Sequence, residues 1–260
     1  MAVLTCSFFS ETLRESTAMT VILPESATGQ IGMNTRTTAQ PPPVLYLLHG
    51  LSDDETIWTR RTSIERYVAP LGIAVVMPRA GRSFYTNEHH GQRYWDFISD
   101  ELPHQVAHFF RVATDRNHTY VAGLSMGGYG AMKLALRHPN RYIAAASISG
   151  VLSMAPTPAV DNLAVEVPQV WGGQHPHGTD DDPITMLHRA NPTDLPRLYQ
   201  SCGTEDFLYQ ENLHFAHTAT ERGITVTTDL TGPGSHDWDY FDYSIQQVLT
   251  WMFPTTTEQP

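Results

Sequence analysis

Three separated stretches carry residue types that could do chemistry together. The first is VAGLSMGGYGAM at 121–132, where Ser125 stands in a G-x-S-x-G pattern between Gly123 and Gly127. An apolar β-type run leads into the motif and a small-residue helical segment leads out. That strand, turn and helix is the setting that presents a nucleophilic serine on a sharp elbow. At such an elbow the serine backbone is strained, and a Cβ at either flanking position collides with the adjoining strand or helix, so the glycines expose the hydroxyl. The helix that follows aims its N-terminal dipole and free N–H groups at the space where an anion would form.

A serine hydroxyl is a weak nucleophile at neutral pH and needs a base within hydrogen-bond reach, itself oriented by a carboxylate. On a strand–elbow–helix scaffold the chain order runs serine, acid, histidine. Of 13 histidines, only His214, His217 and His236 lie beyond the late acidic candidates. His214 and His217 fall in a helical pattern and read as surface residues. His236 sits in TGPGSHDW, where Gly232, Pro233 and Gly234 shape a turn without bulky side chains, so it is the expected base. The stretch CGTEDFLY at 202–209 offers Asp206, just past an apolar run, as the acid, with Glu205 as the second choice. Oxyanion donors are expected from the backbone N–H of Met126 and that of Leu51 in LYLLHGLSDDETIW. His49, which precedes the serine and follows a strand directly, reads as a brace for that loop.

These residues need a scaffold. Apolar, β-rich runs occur at 6–13, 17–24, 43–49, 73–78, 119–123, 143–150, 197–203 and 224–230. From Val44 onward they are continuous rather than alternating, as in strands of a mainly parallel sheet covered on both faces, whereas the first two look like an antiparallel edge. Helical segments are expected at 99–113, 128–139, 208–223 and 237–253. The alternation implies right-handed βαβ units in a doubly wound sheet, with the ligand site at the carboxyl ends of the strands. Two stretches break the rhythm: a polar connection at 28–43 and a long Pro/Gly-rich insertion at 151–192, a candidate cap.

Bulk properties bound the reading. A chain of 260 residues and 29.1 kDa buries roughly three quarters of its unfolded surface and suits one α/β domain over 1–260. A net charge of −11 with a single lysine, Lys133, excludes a surface that tracks nucleic-acid phosphates. No apolar run is long enough for a membrane span, and the first residues lack the basic and apolar regions of a secretory signal, so a cytoplasmic location is expected. Cys6 and Cys202 read as free, buried thiols. The oligomeric state stays open, a homo-oligomer included.

The order and spacing of HGLSDDETIW, GLSMGGYGA, GTEDFL and GSHDW resemble the esterase D family of α/β hydrolases, and within it the short bacterial tributyrin esterase-like proteins. The resemblance runs from SETLRESTAMTVILP at 10–24 to the last helix and includes SFYTNEHHGQRYWDFISDELP at 83–103. It implies an α/β-hydrolase fold with antiparallel N-terminal edge strands and a short cap insertion. It further implies a serine carboxylesterase that cleaves small short-chain acyl esters through an acyl-enzyme without a cofactor. Ser125, Asp206 and His236 are then the triad, and Leu51 and Met126 the oxyanion hole. Related S-formylglutathione hydrolases carry Thr and Cys after HGL, whereas this chain has Ser52-Asp53-Asp54, which weighs against a formylglutathione substrate. Feruloyl and acetyl-carbohydrate esterases stay open; acyl transfer and a catalytically silent scaffold are the rival classes.

The insertion is expected to wall the site with Leu152, Met154, Val170 and Trp171, the last and first of these as substrate contacts. It lacks a long amphipathic helix, which favours small soluble esters over a lipid interface. HPHGTDDD at 175–182 reads as a solvated loop rather than a metal site, and His89 and His90 as exposed loop residues. Trp95 and Asp96 read as structural residues ahead of a helix starting near Ser99.

Overall fold

The apolar runs do pair into one sheet. In the computed structural model, which describes residues 1–254 apart from 28, 30, 33, 38 and 157–162, the strands are β1 (Ala2–Ser10), β2 (Glu15–Leu23), β3 (Val44–Leu48) and β4 (Ala74–Pro78). They continue as β5 (Thr119–Leu124), β6 (Ala144–Ile148), β7 (Arg197–Ser201) and β8 (Val226–Asp229). Their spatial order is β1-β2-β4-β3-β5-β6-β7-β8. Strands β3 to β8 pair in parallel, while β1 and β2 pair antiparallel at one edge. This order and these directions are those of the α/β-hydrolase fold.

Alternation along β3 explains why its sequence is apolar throughout. Val44, Tyr46 and Leu48 join a core on one face with Val76, Val121, Tyr129 and Phe215. Leu45 and Leu47 join a second core on the other face with Trp58, Ala122, Phe241 and Ile245. Helices cover both faces: α1 (Ile57–Arg61), α2 (Ile64–Val68), α3 (Leu102–Phe109), α4 (Met126–Arg137), α5 (Glu166–Trp171), α6 (Pro183–Arg189), α7 (Tyr209–Glu221) and α8 (Trp238–Met252). Among the described residues no helix is long and apolar enough to cross a membrane.

Several boundaries depart from the sequence reading. The first strand occupies Ala2–Ser10 rather than 6–13, because the chain reverses at Arg14, whose φ is +55°. Glu101 fixes that reversal by accepting from the Ser10 hydroxyl at 2.5 Å and from the Glu11 and Thr12 amides at 2.8 and 3.1 Å. The helix expected at 99–113 begins at Tyr94, passes through a π turn at Phe97–Glu101 and stops at Phe109. Trp95 and Asp96 therefore lie inside its first turn, not ahead of it. Trp95 stacks on His138 at 5.3 Å and lies under the Lys133 and Arg137 cations, while Asp96 pairs with Arg93. Cys202 is buried as expected, but Cys6 is only half-buried, since an edge strand turns one face to solvent. Helices α1, α2, α5 and α6 are too short to leave a periodic signal. The insertion at 151–192 contains α5 and α6; its residues 157–162 lie outside the described residues.

Candidate active site

Strand β5 runs into Ser125 and α4 runs out of it. Ser125 has φ +53° and ψ −119°, a backbone conformation that costs a residue with a Cβ of order 1–3 kcal/mol. Close approach explains the flanking glycines. A Cβ on Gly123 would sit 2.4 Å from the Gly127 backbone, and one on Gly127 would sit 2.4 Å from the Leu48 carbonyl oxygen. The Ser125 amide donates to the Ile148 carbonyl at 2.9 Å, which ties the elbow to β6.

The loop after β8 brings His236 over the elbow. His236 Nε2 lies 3.0 Å from Ser125 Oγ, and Nδ1 lies 2.9 and 3.1 Å from the two carboxylate oxygens of Asp206. Asp206 also accepts the Leu208 amide at 2.8 Å, and its side chain is wholly buried. Burial pushes the Asp206 carboxyl up, but the hydrogen bond and charge of His236, with the Leu208 amide, hold it below the usual carboxylate range. An ionised Asp206 places the imidazole proton on Nδ1 and leaves the Nε2 lone pair for the serine hydroxyl.

Two loops that follow different strands must stay in register for this to hold. The Thr204 amide donates to the Gly232 carbonyl and the Glu205 amide to the Gly234 carbonyl, both at 3.1 Å. A Cβ on Gly203 would sit 2.2 Å from the Gly234 oxygen, so the acid loop and the histidine loop touch backbone to backbone. Glu205, the second-choice acid, faces solvent, as do His214 and His217 on α7.

The expected oxyanion donors flank the same point. A Cβ on Gly50 would lie 3.7 Å from the Ser125 Cβ, which sets the His49-Gly50-Leu51 turn beside the serine. Among the described residues, no protein acceptor takes the amide N–H of Leu51 or of Met126. His49 is buried, with Nδ1 2.7 Å from the Gly50 carbonyl and Nε2 accepting the Ala80 amide at 3.0 Å. Burial pushes its pKa down, so the ring is neutral and Nδ1 is the donor to Gly50. The Tyr85 hydroxyl donates to the His49 carbonyl at 2.9 Å and closes the brace.

Leu152, Met154 and Val170 of the insertion are enclosed in the core rather than exposed as walls of the site, because the insertion packs its apolar side chains inward, whereas Trp171 is half-buried and packs on Phe84 at 5.4 Å. Its indole N–H donates to Asp181 at 3.0 Å. Each aspartate of 175–182 has a protein partner: Asp180 pairs with Arg189, Asp181 with Lys133, and Asp182 caps α6 by accepting the Ile184 amide. Among the described residues no group of three or more His, Cys, Asp or Glu is placed to hold a metal ion. His89 and His90 are exposed, but their amides donate to the Val170 and Gln169 carbonyls and so tie the 83–103 stretch to α5.

Sequence reasoning missed two features. Phe207 is 61% exposed and lies 4.5 Å, ring to ring, from His236. Lys133 is buried and joins α4 to the insertion through Asp181. A lone lysine inside the apolar stretch GYGAMKLALRHP was the available signal for the second; nothing in the sequence distinguished the first.

An eight-stranded α/β-hydrolase sheet with a serine on a strained elbow, facing a histidine and a buried carboxylate, defines a serine hydrolase. The sequence profile of the family described as "Putative esterase" matches residues 10–252, and the chain belongs to that family of carboxylic ester hydrolases. It is 27% identical to an acetyl esterase of Caldicellulosiruptor saccharolyticus over 97% of this chain and 98% of that protein. Among solved structures it is similar to the fluorophosphonate-binding serine hydrolase F of Staphylococcus aureus, with TM-score 0.86 and 36% identity over 98% of this chain and 99% of that one. It is also similar to an S-formylglutathione hydrolase of Staphylococcus aureus, with TM-score 0.83 and 36% identity over 97% of this chain and 98% of that one.

Proposed function

We propose that the protein is a carboxylesterase for short-chain acyl esters, close to the tributyrin esterase-like branch of its family, and that Ser125 is its nucleophile. The observation that carries this reading is the single line of contacts from Asp206 through His236 to Ser125 Oγ, at 2.9 and 3.0 Å. As Oγ attacks the ester carbonyl, its proton passes to His236 Nε2. The carbonyl oxygen becomes an oxyanion between the Leu51 and Met126 amides, whose N–H groups have no competing protein acceptor among the described residues. Collapse of the tetrahedral intermediate breaks the bond to the alcohol oxygen, which takes the proton from His236 and leaves an acyl-enzyme. Water, deprotonated by the same imidazole, then releases the acid. Asp206 stays ionised throughout and stabilises the imidazolium.

Supporting evidence for a small acyl group is the acetyl esterase relative. The S-formylglutathione hydrolase neighbour supports a second reading, hydrolysis of a short acyl thioester by the same steps. Turnover of p-nitrophenyl acetate and butyrate, triacylglycerols, methyl ferulate, acetylated sugars and S-formylglutathione separates these. Ser125→Ala is expected to remove at least about 10³-fold of the preferred activity. Unchanged turnover in that variant would overturn the assignment of the nucleophile.

A further inference from the structure

The end of the sheet opposite Ser125 holds a cavity of about 310 Å³, whose lining includes Tyr46, Tyr142, Arg116 and the Arg141–Asp100 ion pair, with His104 at its wall. Thr119, the first residue of β5, is on its wall, whereas Ser125 follows the last residue of the same strand. At about 3.3 Å per residue the two are roughly 20 Å apart. The cavity is therefore distinct from the candidate active site.

Its polar groups are not used up by the fold. Tyr46 is 6% and Tyr142 2% exposed; both line the cavity, and neither hydroxyl is among the fully enclosed atoms that lack a partner. Facing the cavity, each hydroxyl is within reach of a bound acceptor. Burial pushes both phenols well above their ordinary pKa, so they are donors throughout the physiological range. Arg141 is committed to the Ser99 carbonyl and to Asp100. Arg116 spends only its Nε, on the Pro139 carbonyl at 3.1 Å, and its terminal nitrogens have no protein acceptor among the described residues.

We propose that this cavity is a second ligand site, for a small monocarboxylate with an apolar or aromatic body. The two phenol donors and the free edge of Arg116 match the oxygens of a carboxylate. The ring faces of Tyr46 and Tyr142, with Val112 and Pro103, match an apolar body rather than a bare anion. Nothing in this assignment depends on the chemistry at Ser125.

Calorimetric titration with benzoate, acetate and inorganic phosphate tests it on the wild type, on the double variant Tyr46→Phe/Tyr142→Phe and on Arg116→Gln. Benzoate is expected to bind the wild type more tightly than acetate or phosphate does. Each variant should weaken benzoate binding by about tenfold or more, because a hydrogen bond to a charged group is worth roughly 1.5–3 kcal/mol. Hydrolysis of p-nitrophenyl acetate should be unchanged in all three proteins, which shows that the variants are folded. Absence of benzoate binding, equal benzoate affinity in wild type and variants, or phosphate binding as tightly as benzoate would each overturn the proposal.

Discussion

Lys133 and Asp181 form a buried ion pair at 2.7 Å that links α4, the helix starting beside Ser125, to the 151–192 insertion. The ammonium also donates to the Thr86 hydroxyl at 2.7 Å and faces the Trp95 and Tyr129 rings. Burial lowers the Lys133 pKa to about 8 against the opposing pull of Asp181. Asp181 in turn accepts the Trp171 indole N–H, so one carboxylate holds both the insertion and its half-buried tryptophan. Removing that carboxylate strands a buried cation. Asp181→Asn is expected to cost about 3 kcal/mol, read as a lower denaturation midpoint in urea, and Asp181→Asn/Lys133→Met should recover part of the loss. Equal midpoints for wild type and Asp181→Asn would show that the pair carries no stability.

The same lysine sets a pH dependence. Its folded pKa of about 8 lies below the ordinary value of 10.5, so between these values the unfolded chain binds more protons than the folded one. Stability attributable to Lys133 therefore rises as pH rises from about 8 toward 10.5. Chemical denaturation at pH 7.5 and pH 10 should show the wild type gaining relative to Lys133→Met; a constant difference between them would contradict the assignment.

Asp206 acts with the same sign at the acid end of the range. Its folded pKa is depressed below the ordinary 3.8, so its contribution to stability is full above that value and disappears as pH falls through the folded one. Asp206→Asn should remove this acid-side loss. It should also lower kcat by about 10³- to 10⁴-fold with KM little changed, since the imidazole would no longer be held in the right tautomer. Stopped-flow turnover of p-nitrophenyl acetate measures the kinetic part, and acid denaturation of both proteins the other.

How legible these features were depended on how local their cause is. The elbow at Ser125 could be read directly, because Gly123, Gly127 and the flanking apolar and small residues state their own geometry. His236 and Asp206 were found through chain order and loop composition. Continuous apolar runs marked β3 to β7 because both faces of those strands are buried. What stayed hidden was set by partners distant in sequence. The start of the helical run at Tyr94, the turn that Glu101 fixes after β1, and the Lys133–Asp181 pair all depend on contacts that no local window contains. Helices α1 and α2, five residues each, are held by Ile57, Trp58, Ile64 and Val68 against the sheet rather than by periodicity.

His49 holds the peptide group whose N–H is the proposed Leu51 donor, through the 2.7 Å contact of Nδ1 with the Gly50 carbonyl. It touches no reacting atom and acts as a positioning residue. His49→Phe is expected to lower kcat by about tenfold to a hundredfold, part of the 10²- to 10³-fold that loss of a whole oxyanion donor costs, with KM nearly unchanged. His49→Gln, which keeps a donor, should recover some of that rate. A parallel rise in KM with kcat preserved would assign His49 to substrate binding instead.

Phe207 follows the proposed acid and rests on the proposed base at 4.5 Å while 61% of it faces solvent. In the proposed mechanism an alcohol leaving from the tetrahedral intermediate takes its proton from His236, the imidazole that Phe207 flanks. An aromatic pair adds about 0.5–1.5 kcal/mol beyond area burial, a factor of roughly two to twelve in binding. Phe207→Ala should therefore raise KM for phenyl acetate by about that factor while leaving KM for ethyl acetate unchanged, with no loss of stability, because the ring is mostly exposed. Steady-state kinetics on the two esters decides it: a uniform change in both KM values would make Phe207 a cover for His236 rather than a contact for the leaving group.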